Sequence, residues 1–167
     1  MSLYSVDKLI SEARKLAAEY RRTTGGPLPG ISGEIARHDA MRLLDLTPAG
    51  NGLSYDAIGN GSRKGKRIQI KARVIQDDNQ RGLRLGQIKI EQEWDTVVLV
   101  LLNSDYQPFE VYEVEREEVI EASAEASQNR SKRGAITLAR FKAISTLVWT
   151  LDHGSIDEGI WVNDDSH

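Results

Sequence analysis

The chain has no cysteine, only three histidines, four prolines and two phenylalanines in its 167 residues. Without cysteine, disulfide scaffolds, thiolate zinc sites and cysteine nucleophiles are all excluded. With His38, His153 and His167 as the only imidazoles, a multi-histidine metal cage is not expected, and any metal would be held by oxygen ligands. Long apolar runs are scarce as well: Val97–Leu102 is the longest, far too short to span a bilayer. The N-terminus lacks a charged-then-apolar signal pattern, so no membrane contact is expected and the cytoplasm is the expected location. Charge of one sign is also missing, with 22 Lys+Arg against 25 Asp+Glu, a net of −3. Taken whole, that figure argues against a nucleic-acid partner.

What is present suits one globular domain. Hydrophobic residues make up 40% and charged residues 28%, and the length supports a single sizeable core. Residues 5–22 read as an amphipathic helix with Val6, Leu9, Ile10, Ala13, Leu16, Ala17 and Tyr20 at helical spacing. Glycines and prolines from Gly25 to Gly30 end it, and Ser32 is an expected N-cap for a second helix over 33–44.

From Leu53 the period changes to two. Residues 53–58 predict a strand, 59–65 a Gly-rich basic turn, and 67–74 a strand with Ile68, Ile70, Ala72 and Val74 on one face. Residues 76–86 read as a polar loop. Residues 96–102 suit a strand buried on both faces, and 109–114 predict another. Helices are expected over 115–126 and 137–147, separated by a polar loop. The order predicts an α/β fold, a mixed central β-sheet flanked by helices. Residues 1–151 form the expected domain, the helix over 5–22 packing on a core of 32–151, with 152–167 as an acidic C-terminal tail.

The informative stretch is Tyr55–Arg73. If its two strands form a hairpin centred between Ser62 and Arg63, Asp56 and Gln69 face each other with Cβ atoms roughly 5 Å apart, and Lys71 is the diagonal neighbour. That grouping suits phosphodiester hydrolysis. A hard divalent cation on Asp56, the Gln69 side-chain oxygen and the Ile70 carbonyl would neutralise the non-bridging oxygens and stabilise the leaving oxygen. A lysine beside it can orient the attacking water and help remove its proton. Alternation alone is equally what any half-buried strand with a solvated polar face shows. Trp94 reads as a packing anchor and His38 as a surface residue.

Asp56 followed by Gln69-Ile70-Lys71 resembles the PD-(D/E)XK nuclease superfamily, the fold of many restriction endonucleases, and within it a group of uncharacterised bacterial domains. The resembling stretches, among them SGEIARHDAMRLL, YDAI, RIQIKAR and WDTVVLVLL, cover most of residues 32–150. The resemblance implies a restriction-endonuclease-like core and Mg²⁺- or Mn²⁺-dependent cleavage of DNA. It assigns Asp56, Gln69, Lys71 and upstream Glu34 to catalysis, with Glu34 holding a second metal or orienting water. Enzymes of this kind often act as homodimers, because cutting two strands needs two sites; nothing in the residues sets the oligomeric state.

Two positions depart from the pattern: Tyr55 stands where the name-giving proline would be, and Gln69 replaces an acid. A Q-x-K version occurs in Mrr-like restriction enzymes and TnsA-like transposase endonucleases, which implies that activity can survive it. The lost negative charge also opens a second reading, a catalytically inactive nuclease-fold domain that binds DNA or assembles with protein. As a first-turn acid, Glu34 would also favour its helix dipole with no metal at all.

The basic residues bear on both readings. Arg63, Lys64, Lys66, Arg67, Lys71 and Arg73 fall within eleven residues with no acid among them, and Arg130, Lys132 and Arg133 form a second cluster. Such runs are often no more than a solvated surface. Placed beside Asp56, they would make a track for a nucleic-acid backbone. Without the five acids from Asp152 onward, 22 basic residues stand against 20 acidic ones. The net charge of the whole chain therefore mixes an acidic tail with a mildly basic body.

Overall fold

Strand β4, Thr96–Leu102, is apolar at every position but the first and buried at every position, as its unbroken run predicts. In the computed structural model, which describes residues 3–76, 83–85, 88–128 and 136–156, β4 is central to a seven-stranded sheet. The elements run α1 (Leu3–Thr24), α2 (Ser32–Leu44), β1 (Leu46–Pro48), β2 (Ala57–Gly59), β3 (Arg67–Val74), β4, β5 (Pro108–Glu115), α3 (Arg116–Gln128), α4 (Leu138–Ile144), β6 (Thr146–Thr150) and β7 (Gly154–Ser155). The strands lie in sequence order. Neighbours are antiparallel except β3 and β4, which run parallel with Gln69 beside Val97 and Lys71 beside Leu99. The fold is α/β with a mixed sheet.

Period two divides the core into two layers. Val98, Val100 and Leu102 pack with Ile68, Val111 and the buried residues of α1 and α2. Val97, Leu99 and Leu101 pack with Trp94, Val114, Val119 of α3 and Phe141 of α4. The sheet is thus covered on both faces. This settles where the polar residues of β3 go: Gln69 and Lys71 lie on the α3/α4 side, while Ile68 and Ile70 lie on the α1/α2 side.

Several expected elements shift. The strand predicted over 53–58 pairs only from Ala57, because the Asp56 side chain occupies the next ladder position: its Oδ2 accepts the Ile70 N–H at 2.8 Å. Strand β1 has three residues and no readable alternation. The helix predicted over 137–147 stops at Ile144, and the β-branched TLVWT run forms β6 instead. The loop predicted over 76–86 contributes a core residue, Leu85. Ser32 is the first helical residue of α2; Ile31 holds the cap position, with no side-chain cap bond. The sheet also passes the boundary expected at Leu151, since β7 pairs with β6 and the Ile156 N–H reaches Val148 O at 2.9 Å.

Helix α1 turns a different face inward from its most apolar one. Ala17, Ala18 and Arg21 are buried, while Val6, Leu9, Leu16 and Tyr20 are exposed. A polar anchor sets this rotation: Arg14 grips the fully buried Asp39 of α2 through two bonds, Nη2 to Oδ1 at 2.7 Å and Nη1 to Oδ2 at 2.9 Å. The small side chains of Ala17 and Ala18 let the helix approach closely.

The β2–β3 turn depends on one glycine for space. A Cβ at Gly59 would fall 2.2 Å from the carbonyl oxygen of Arg63. Gly59→Ala is expected to destabilise the protein by roughly 1–3 kcal/mol, the usual cost of forcing an atom into filled space. Urea midpoints measured at unchanged m-value check it; an unchanged midpoint would mean that the turn yields freely.

Candidate functional site

The β2–β3 register brings three of the expected residues together. Ala57 pairs with Ile68 and Ile58 with Arg67, the register that the hairpin arithmetic expects, and the ladder ends there, one residue short of the expected Asp56–Gln69 pair. The Asp56 N–H instead donates to Ile68 O at 2.8 Å while its Oδ2 accepts the Ile70 N–H, so Asp56 bonds to both neighbours of Gln69 at the end of the ladder. Asp56, Gln69 and Lys71 all line one cavity of about 410 Å³ with Gly52, Leu53, Ser54, Lys89 and Gln92.

Gln69 is 7% exposed. Its Nε2 donates to Ser54 O at 2.9 Å; a carbonyl can only accept, which fixes the orientation of the amide. Oε1 is then left buried without a hydrogen-bond partner. An unsatisfied buried acceptor costs on the order of 1–3 kcal/mol, so its retention at this position calls for a donor or a cation. Ile70 turns its N–H to the Asp56 carboxylate, and in an extended residue the carbonyl points to the same side. Lys71 is half-buried, with no ion pair among the described residues.

The cavity lining offers two oxygen donors for a metal, the Asp56 carboxylate and the Gln69 side-chain oxygen; Ile70, expected to add its carbonyl, is not among the lining residues. No group of three or more histidine, aspartate and glutamate side chains able to hold a metal occurs among the described residues. A Mg²⁺-like ion tolerates such a set, because it is commonly held by one or two carboxylates while water and substrate phosphate supply the remaining ligands. The orphaned Gln69 oxygen fits that use.

Glu34 is placed elsewhere. It lies in the first turn of α2, ion-paired with Arg37, and lines a separate depression with Val6, His38, Met41 and Pro48. Helix α2 packs on the Ile68 face of the sheet, whereas Gln69 and Lys71 belong to the other face. The helix-dipole reading of this acid agrees with its placement; a role beside Asp56 does not. His38 likewise stays on the α1/α2 surface, with Nε2 3.1 Å from the Asp7 carboxylate.

Most of the basic run is already partnered. Arg63 Nε meets Glu113 at 2.9 Å, Lys66 meets Glu115 at 2.7 Å, and Arg67 bonds Asp95 through both its side chain and its backbone N–H. The hydrogen bond from Arg67 holds the Asp95 carboxyl below the usual carboxylate range. Arg73 is half-buried, donates to the Arg84 carbonyl at 2.7 and 2.9 Å, and has its pKa lowered by that burial. Lys64 is exposed and lines another depression, beside Asp95 and Glu115. Arg130, Lys132 and Arg133 lie outside the described residues. The expected track thus reduces to few free cations on the described surface.

The structure adds residues that no pattern announced. The segment from Ile88 to Asp95 forms a wall of the cavity and contributes Lys89 and Gln92. Arg116, the first residue of α3, donates to Gln92 O at 2.7 Å, to Trp94 O at 3.0 Å and to Ile90 O, and its guanidinium lies 4.7 Å from the Trp94 ring centre. Trp94 is buried, as a packing anchor should be, and its Nε1 donates to Lys89 O at 2.9 Å. Ser54 Oγ closes the wall against the hairpin by donating to Glu93 O at 2.6 Å. A polar stretch without period carries no sequence signal for this; Arg116 and Trp94 were the readable clues.

Tyr112 of β5 carries the largest displaced titration described. Burial first, then the neighbouring Glu110 carboxylate, pushes its phenol up to about 12. A raised folded pKa contributes stability that is complete below the unfolded value of about 10 and is lost as pH rises through about 12. One of the chain's five tyrosines is therefore expected to ionise late in an ultraviolet alkaline titration. Glu110→Gln should move it only part of the way back, because burial is the larger cause. Full return would make the carboxylate the main cause.

No model of a known protein family matches the chain, and a search of curated proteins gives no match either. No described helix is long and apolar enough to cross a membrane.

Proposed function

We propose that the Asp56/Gln69/Lys71 cavity is a divalent-metal-dependent phosphodiester-hydrolysis site of the PD-(D/E)XK type, acting on DNA. The observation that carries this reading is Gln69 Oε1, buried without a partner among the described residues, on a side chain that lines a cavity together with a carboxylate and Lys71. The order of helix, strand, hairpin and parallel strand, with a mixed sheet flanked by helices, supports a restriction-endonuclease-like core.

In this reading Asp56, Gln69 Oε1 and the Ile70 carbonyl would hold Mg²⁺ or Mn²⁺, which would supply charge neutralisation to the phosphodiester. Lys71, two residues beyond Gln69 on the same face, hydrogen-bonds the attacking water and aims it at phosphorus. Ser54 fixes the Gln69 amide through Nε2, so its oxygen is presented without rotational freedom. Water adds its oxygen to phosphorus and releases a proton to solvent as the bond to the 3′ oxygen breaks, and the 3′ oxygen takes up a proton from solvent, leaving a 5′-phosphate and a 3′-hydroxyl. Glu34 takes no part.

The test is cleavage of plasmid and linear DNA over a Mg²⁺ and Mn²⁺ series by the wild type, Asp56→Asn and Lys71→Ala. Metal-dependent cleavage that needs much higher metal in Asp56→Asn and stays impaired throughout the series in Lys71→Ala is expected; cleavage unchanged in both rules the site out. The single carboxylate favours one alternative, a nuclease-fold module that binds DNA without turnover. Salt-sensitive binding with no cleavage in any metal would select it.

A further inference from the structure

We infer that Lys89 is a second phosphate-binding cation of the cavity, held against the DNA backbone by the wall that Arg116 and Trp94 fix; this rests on the reading of the cavity as a phosphodiester site. Three observations converge on it. First, Lys89 and Lys71 line the same cavity, and neither makes an ion pair among the described residues. In contrast, Arg63, Lys66 and Arg67 on the nearby surface are each committed to an acid. Second, Asp56 is the cavity's one carboxylate among its lining residues, and its Oδ2 is already taken by the Ile70 N–H. Two lysines against one carboxylate leave the lining net positive before any metal enters, which is the charge that a phosphate needs. Third, the backbone that carries Lys89 is rigidly tied. Its carbonyl accepts from Trp94 Nε1 at 2.9 Å and from the Gln92 N–H at 3.2 Å, and Arg116 ties the turn beyond it through three carbonyls.

An exposed lysine on a pinned backbone has a defined reach while its ammonium stays mobile. That arrangement suits a point-charge contact to a non-bridging oxygen, which needs proximity more than a fixed fork geometry. The two lysines divide the work by position. Lys71 shares the cavity lining with Asp56 and Gln69, where the attacking water would sit; Lys89, further along the chain between β3 and β4 and on a separate wall, engages the phosphate itself. Lys64 and Lys66, which belong to a different depression, should make no such contact.

The experiment measures binding of one fluorescently labelled DNA oligonucleotide, single-stranded and as a duplex, without divalent metal, across a salt series. Removing one phosphate contact lowers the slope of log affinity against log salt by about 0.9 for a duplex and about 0.7 for a single strand. Lys89→Ala is expected to show that loss, Lys89→Arg to restore the slope, and Lys64→Ala to leave it unchanged. A Lys89→Ala slope equal to that of the wild type overturns the inference, as does an equal loss in Lys64→Ala or the absence of any binding. Failure here is separable from failure of the hydrolytic reading. Asp56-dependent cleavage with an unchanged Lys89→Ala slope sinks only this inference; a lowered slope with no cleavage in any metal sinks only hydrolysis.

Discussion

Lys71→Ala is expected to lower metal-dependent DNA cleavage by on the order of 10²-fold or more, the loss expected when the attacking water is no longer held in line with phosphorus. The side chain makes no ion pair among the described residues and stands on a strand whose core contacts come from Ile68 and Ile70 on the other face. Its loss should therefore leave the fold intact, and an unchanged urea midpoint is the control. Asp56→Asn is expected to differ in kind. The amide can still accept the Ile70 N–H that Asp56 Oδ2 accepts at 2.8 Å, so the hairpin register is kept while the one carboxylate among the described lining residues of the proposed site is lost. Cleavage by that variant should demand much higher Mg²⁺, whereas the Lys71→Ala defect should persist at saturating metal. Equal recovery of both variants with added metal would place Lys71 among the metal-binding effects and deny it a role with water.

Arg14→Ala is expected to cost about 3–5 kcal/mol of stability, the range for breaking a buried ion pair from one side. Asp39 is fully buried, and Arg14 holds both its oxygens. The same guanidinium donates to Tyr106 O at 2.5 Å, so its removal also strips a carbonyl of its partner. Arg42 Nη2, at 3.7 Å and on an exposed side chain, is a poor substitute. The loss is a penalty for an uncompensated buried charge and does not measure the net worth of the pair. Replacing both members, as in Arg14→Met with Asp39→Leu, should therefore recover much of the stability. Urea unfolding of the two variants checks this. A single-variant loss below about 1 kcal/mol would mean that water reaches Asp39 once Arg14 is gone.

The parts of the candidate site legible in the sequence are those separated by a short loop. Asp56 and Gln69 lie on either side of one Gly-rich turn, and period two together with the turn's centre is enough to bring them into one cavity. The two-sided burial of β4 was legible for a related reason: an apolar run with no polar alternation has no face to offer solvent. Helix α1 shows the opposite case. Its strongest apolar stripe, with Leu9, Leu16 and Tyr20, is exposed, because Arg14 must reach Asp39, 25 residues away. The clue was present as an aspartate amid the apolar stripe of α2, between Ile35, Ala36 and Ala40; read without a partner, it looks like a surface acid.

Composition and local period by themselves determined the absence of thiol chemistry, the α/β class, and the Asp56–Gln69–Lys71 grouping. Only the tertiary structure decided which charges remain available to a ligand. Arg63 is neutralised by Glu113, fifty residues on, and Arg67 by Asp95, 28 residues on. Sheet order sets those meetings, and no local pattern encodes them. The same packing sends Glu34 to the far face and brings Lys89 to the cavity. The physical reason is common to all of them. Period and turn geometry act between neighbours in the chain, while an ion pair depends on the distance between atoms, which the folded sheet alone establishes.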